Sequence, residues 1–144
     1  MASQFKGGAL IEEVLKALDD ATAQLVTNTQ SKLSASSPVD TGRLASSWFV
    51  NVNKPSGKVP PEEPWASKKE GDSPTIKVER FGQRIEFGDD YYIDSNLPYT
   101  SQAAFDPGYV GRRGGGRGDW FTAIENNLDQ DANRIFTRAL RKLR

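Results

Sequence analysis

The stretch Pro38-Val39-Asp40-Thr41-Gly42-Arg43-Leu44-Ala45-Ser46-Ser47 fixes the fold class, because the hydrophobic period changes across it. On its N-terminal side, Leu10, Val14, Leu18, Ala21, Leu25, Thr29 and Leu33 recur in steps of three and four, the spacing of one helical face. This spacing predicts a helix over residues 9–34, a rod roughly 38 Å long. Glu12, Glu13, Asp19 and Asp20 fall in its first half, where the helix dipole favours anions. Ser36-Ser37-Pro38 ends it, since the residue before a proline is pushed out of the helical region. On the C-terminal side the period becomes two. A strand is predicted over residues 46–53, with Trp48, Val50 and Val52 facing one way and Ser47, Phe49 and Asn51 the other. Within the stretch itself, Asp40 is suited to cap the local turn through its carboxylate. Gly42 supplies a backbone conformation that a side chain would forbid, and Leu44 pins the turn to the core. Read this way, the stretch sets the angle between helix and sheet and is not primarily a partner contact.

Further along, residues 54–75 form a polar insert carrying Pro55, Pro60, Pro61, Pro64 and Pro74 with Gly57 and Gly71. Such a composition makes neither a ladder nor a packed helix. Trp65 in its middle is a candidate anchor on a neighbour, or equally one that folds back onto its own domain. Strands are predicted over 75–80, 84–87 and 91–94, separated by the turn signals Phe81-Gly82-Gln83 and Gly88-Asp89-Asp90. Together they read as an antiparallel meander with Ile76, Val78, Ile85, Phe87, Tyr91 and Ile93 on its core face. Residues 95–119 read as irregular, and 108–118 hold six glycines and three arginines, a run expected to be mobile when alone. A second helix is predicted over 120–143, N-capped by Asp119. Its face is marked by Phe121, Ile124, Leu128, Ile135, Ala139 and Leu143, widened by Trp120, Phe136 and Leu140, and its end is crowded by Arg138, Arg141, Lys142 and Arg144. The expectation is one α+β domain over 1–144. A small antiparallel β-sheet is packed by a long N-terminal helix and a C-terminal helix, with two long extended loops at 54–75 and 107–118.

Composition narrows the chemistry. The chain has 144 residues, no cysteine and no histidine. Disulfides, thiolate metal sites, imidazole ligands and the commonest general base are therefore absent. Carboxylate–magnesium and lysine chemistry survive only as formal options. No apolar run approaches the length of a membrane span, and residues 1–10 lack the apolar core of a signal peptide, so a cytosol-like compartment and no membrane partner are expected. Net charge is zero but unevenly spread. Residues 1–40 carry three basic and five acidic side chains, net −2; residues 112–144 carry eight basic and four acidic, net +4. Such asymmetry fits head-to-tail contact between copies, a basic end near nucleic acid, or helix ends obeying the dipole rule.

Short motifs add little catalysis. Arg117-Gly118-Asp119 spells an adhesion tripeptide, but Asp119 already has a place as a helix cap. The glycine run precedes a helix, yet it lacks the Lys-Ser/Thr of a phosphate loop and no strand leads into it. Its arginines fit a flexible protein contact first and non-specific nucleic-acid contact second. Asp89 and Asp90 are a turn rather than a chelating pair, because neighbours on a strand point to opposite faces. Glu62 and Glu63 are solvated. No nucleophile–base pair, metal site or cofactor site emerges.

Two segments carry a family likeness. Residues 38–47 are similar to the Pro-x-Asp-Thr-Gly-x-Leu-x-x-Ser signature of the HK97 gp10-like tail-component proteins of tailed bacteriophages, contributed here by Pro38, Asp40, Thr41, Gly42 and Leu44. Tyr92-Ile93-Asp94-Ser95-Asn96-Leu97-Pro98-Tyr99 resembles that family's later motif, a strand ending in an Asn-x-Pro-Tyr turn, here Asn96, Pro98 and Tyr99. The chain departs from it at 101–106, and its 54–75 insert is longer. The resemblance implies a non-catalytic virion protein, assembled in the host cytoplasm. It would form a ring, commonly of six copies, in the neck, completing the tail and joining it to the head. Implied partners are copies of itself, the head-tail connector or stopper, the tail tube or terminator, and DNA passing non-specifically through the lumen. Arg112, Arg113, Arg117 and Trp65 are then expected at intersubunit or lumen surfaces. Two other readings stay open: a tail terminator ring that stops tube growth, and a nucleic-acid-binding module using the Arg/Gly loop.

Overall fold

The computed structural model describes residues 7–39, 42–60, 73–106, 108–109, 111, 115–116 and 118–143. Among these the order is α1 (Gly7–Ser36), β1 (Phe49–Val52), β2 (Tyr91–Asp94), α2 (Thr100–Phe105) and α3 (Trp120–Arg141). The fold is α+β: two long helices pack a two-stranded antiparallel sheet in which Phe49 lies opposite Asp94 and Val52 opposite Tyr91. A two-stranded ribbon is marginal by itself, so this one depends on the helices laid against it.

Helices α1 and α3 run antiparallel. Leu33, near the end of α1, meets Trp120 at the start of α3. Ala17 and Ala21, earlier in α1, line a groove with Ile135 and Ala139, later in α3. Lys32 pairs with Asp131, which also accepts from Arg134 at 3.3 Å. The core has two centres. Leu33, Trp48, Ala104 and Trp120 form one, flanked by Ile93, Phe121 and Ile124. Leu44, Leu97 and Ala103 form the other, flanked by Tyr99 and Tyr109. Trp48 is the hub of the first: its ring meets Trp120 edge-on at 6.2 Å and stacks on Phe121 at 6.0 Å. Such aromatic pairs contribute about 0.5–1.5 kcal/mol each beyond the area they bury.

Several sequence expectations change. Residues 75–80 and 84–87 form no ladder, so the meander shrinks to β2 alone. Gln30 accounts for part of this. Its buried side chain lies between the two backbones and donates to Trp48 O at 2.9 Å and Glu79 O at 2.8 Å, where a neighbouring strand would otherwise bond. The proposed core face survives in part: Ile93 packs on the Trp48 centre and Val78, Ile85 and Tyr91 are half-buried, while Ile76 is 48% and Phe87 52% exposed. The first strand begins at Phe49 rather than at residue 46, because the Ser46 and Ser47 amides fold back onto the carbonyls of Gly42 and Leu44. Both faces of that strand's start are covered, so Trp48, Phe49 and Val50 are all buried and the alternation is lost there. The region read as irregular contains α2, whose Ala103 and Ala104 are buried. Asp119 does precede α3, but its carboxylate makes no capping hydrogen bond; its carbonyl accepts from the Ala123 amide at 2.8 Å.

Candidate functional site

The junction between α1 and β1 gathers more of the recognised motif than any other part of the described chain. Its order comes from serine. Ser34, Ser37, Ser46 and Ser47 are all buried, and a buried hydroxyl left alone costs about 1–3 kcal/mol. Each is satisfied. Ser34 Oγ donates to Ala45 O at 2.7 Å. Ser37 Oγ donates to Leu33 O at 2.6 Å and accepts from Trp48 Nε1 at 2.8 Å. Ser46 Oγ donates to Gly42 O and accepts from the Lys77 amide, both at 2.8 Å. Ser47 Oγ donates to Leu44 O and lies 2.5 Å from Ser95 Oγ, which continues to Thr100 Oγ1 at 2.9 Å. A small hydroxyl lets backbones approach closely and still finds a partner, so these residues lock the helix end, turn, strand and α2 into one arrangement.

Two glycines allow the approach. Gly42 has φ +95°, and a Cβ there would stand 2.7 Å from Thr75 C and 3.1 Å from Thr75 N, both backbone atoms. Gly116 has φ +64°, and a Cβ there would stand 2.8 Å from Cβ and Cδ of Pro38. The Gly116 amide donates to Ser36 O at 2.7 Å. Gly115 and Gly116, the described middle of the glycine run, are thus packed against the end of α1. Pro38 is the surface they pack on.

The second motif has separable parts. Asn96 Nδ2 donates to Lys58 O at 3.0 Å and to Asp94 Oδ2 at 2.9 Å. Asp94 Oδ1 in turn accepts from Ser56 N at 3.2 Å and Ser56 Oγ at 3.0 Å. This pair ties down the first residues of the proline-rich insert. Tyr99 packs on the Leu44–Leu97–Ala103 centre, so the two motifs meet in one cluster, while Pro98 is exposed. Of the other expected site residues, Asp40, Thr41, Trp65, Arg112, Arg113 and Arg117 lie outside the described residues.

The described surface is uneven. Leu10, Ile11 and Leu15, in the early turns of α1, are 51%, 60% and 50% exposed. A groove of about 360 Å³ runs between α1, β2 and α3, lined chiefly by Leu25, Val26, Ile93, Phe121, Ile124 and Leu128. Among the described residues no three acidic side chains converge as metal ligands, and no helix is long and apolar enough to cross a membrane. The junction, with its small hydroxyls and tight glycines, positions these elements against one another. Sequence reasoning identified Gly42 and Leu44 but missed Gln30 and the serines. The cluster of serines on both sides of the motif was the available signal. No family model, curated protein or solved structure matches the chain.

Proposed function

We propose that this chain is a non-catalytic structural subunit of a tailed-phage neck. Copies of it form a ring, with six as the expected number, that completes the tail and joins it to the head connector. The reading rests on the likeness of two motifs to one family. It is supported by their meeting in a single cluster, where Leu44 of the first packs with Tyr99 of the second. The carrying observation is the start of α1. Leu10, Ile11 and Leu15 are at least half exposed on a helix about 45 Å long. Apolar side chains exposed in this way are suited to burial against another protein, and a head-to-tail contact between copies gives a ring where its rotation closes.

In this reading the connector or stopper meets one side of the ring, the tail tube or terminator the other, and DNA passes through the centre. No membrane and no cofactor takes part, and the protein ends in the virion after assembly in the host cytoplasm. The test is negative-stain imaging of the purified protein beside an Ile11→Glu, Leu15→Glu variant. Wild-type rings of one symmetry, lost in a variant that keeps its helical circular-dichroism spectrum, support the proposal. A wild-type protein that stays a compact monomer at high concentration and turns over a small molecule refutes it. A tail terminator is the alternative within the class, and overlong tubes in particles lacking the protein would favour it.

A further inference from the structure

The outer face of α3 is a cationic row on which no apolar side chain intrudes. Arg134, Arg138 and Arg141 follow in steps of four and three, so they share one face and span about 10 Å of helix. All three are exposed. With Gln130, Asn133 and Thr137 of the same helix they form an open patch that contains neither an acid nor an apolar residue, although Arg138 also borders the α1–α3 groove that Glu13 and Asp20 line. Arg134 shares Asp131 with Lys32, so that carboxylate neutralises one of two cations. Arg138 and Arg141 form no ion pair among the described residues.

The helix dipole accounts for cations in the last turn, where Arg138 and Arg141 lie. It does not account for the amides and hydroxyl set beside the row, nor for Arg134 two turns from the end, which pairs with the shared Asp131. Protein interfaces are also enriched in arginine, but they set it among aromatic and apolar groups, which this face lacks. Nucleic-acid interfaces are polar and strongly positive. The α3 face has the second composition, and the exposed start of α1 has the apolar groups of the first.

We propose that this face of α3 is a binding surface for the phosphate backbone of duplex DNA, read without regard to sequence. A roughly 10 Å row of long, flexible guanidinium side chains can reach neighbouring phosphates of a duplex whose charges follow one another at about 3.4 Å of axial rise per strand. The side-chain amides of Gln130 and Asn133 supply further donors to the same oxygens, the Thr137 hydroxyl being bonded to Asn133 Oδ1. The choice of DNA as the polyanion rests on the proposed neck function, whereas the charged face stands without it.

The test measures binding of full-length protein to a fluorescein-labelled 30-base-pair duplex of arbitrary sequence, by anisotropy across a salt series. The comparison is Arg134→Gln, Arg138→Gln, Arg141→Gln in one chain, glutamine being a good helix former. The assembly state of both proteins is followed by light scattering. The wild type is expected to bind with a steep salt dependence. The variant should lose roughly 2–3 from the slope of log K against log salt, about 0.9 for each phosphate contact removed. Its assembly state should not change. If the triple variant is poorly folded, Arg138→Gln alone serves and should lose about 1 from the slope. Three results overturn the proposal: no wild-type binding in 50 mM salt, an undiminished slope in a folded variant, or loss of assembly with DNA binding retained. The last would make the face a protein contact. Failure of the ring itself is read separately from light scattering and leaves the slope comparison standing.

Discussion

Replacing Gly42 by alanine should be among the most damaging single-methyl changes possible in this protein, and its cost is separable into parts. The backbone holds φ at +95° there, a region in which a side chain costs about 1–3 kcal/mol. The new Cβ would also stand 2.7 Å from the carbonyl carbon of Thr75, closer than real Cβ atoms come to anything. No flexible side-chain tip is available to give way, so the 73–80 backbone must retreat. Two residues on, the Lys77 amide is bonded to Ser46 Oγ at 2.8 Å and would be drawn off it. That hydrogen bond contributes about 0.5–1.5 kcal/mol. The sum is roughly 2–4 kcal/mol, against a total stability of about 5–15 kcal/mol for a typical domain. For a chain this size each kcal/mol moves Tm by about 2–4 °C, so the midpoint should fall by roughly 5–15 °C. Thermal unfolding followed by circular dichroism measures it, with Gly82→Ala as control. Nothing lies within 4 Å of a Cβ at Gly82 and its φ is unremarkable, so the control should lose nothing. A Gly42→Ala midpoint within 2 °C of wild type, on the order of the control's own shift, would refute the account of the turn.

Three further outcomes are expected. Ser37→Ala strands the Trp48 indole N–H in the core and should cost about 1–3 kcal/mol in urea unfolding, with an altered tryptophan emission. Gln30→Ala removes the donor shared by the Trp48 and Glu79 carbonyls. It should cost at least about 2 kcal/mol, and amide exchange should rise around Glu79 more than in α3. Gly116→Ala meets the Pro38 ring at 2.8 Å, so it should lower Tm by several degrees and expose residues 115–118 to limited proteolysis before the rest of the chain; unchanged proteolysis would show that the loop is not held by that contact.

The long elements were legible because period and length speak together. Seven positions at helical spacing ahead of a proline define α1, and α3 is defined the same way up to its arginine-rich end. Gly42 and Leu44 were legible as turn and anchor because their chemistry is local. The missing ladder was not, because residues 75–80 alternate as a strand should, and only a glutamine from a distant helix shows why they pair with nothing. Helix α2 is six residues long, too short for any periodicity to register, and its two buried alanines carry little hydrophobic signal. Gln30 was overlooked because counting apolar positions passes over a buried amide on the same face. The meeting of the glycine run with Pro38 joins positions nearly eighty residues apart, and nothing in local composition announces it.

Side chains, rather than a neighbouring strand, hold the 73–90 segment to the body. Ser46 takes the Lys77 amide, Tyr91 Oη the Glu86 amide, and Asp19 the Phe87 amide. Each of these three is worth only about 1 kcal/mol, two of them are exposed to water, and the Gln30 amide adds its bond to Glu79 O. Release of this stretch breaks these bonds and leaves the α1–α3 contacts and the Trp48 centre in place. In hydrogen-exchange terms it is a sub-global opening unit. Its amides should exchange long before those of the helical pair, and the protein can loosen there while its core remains shut.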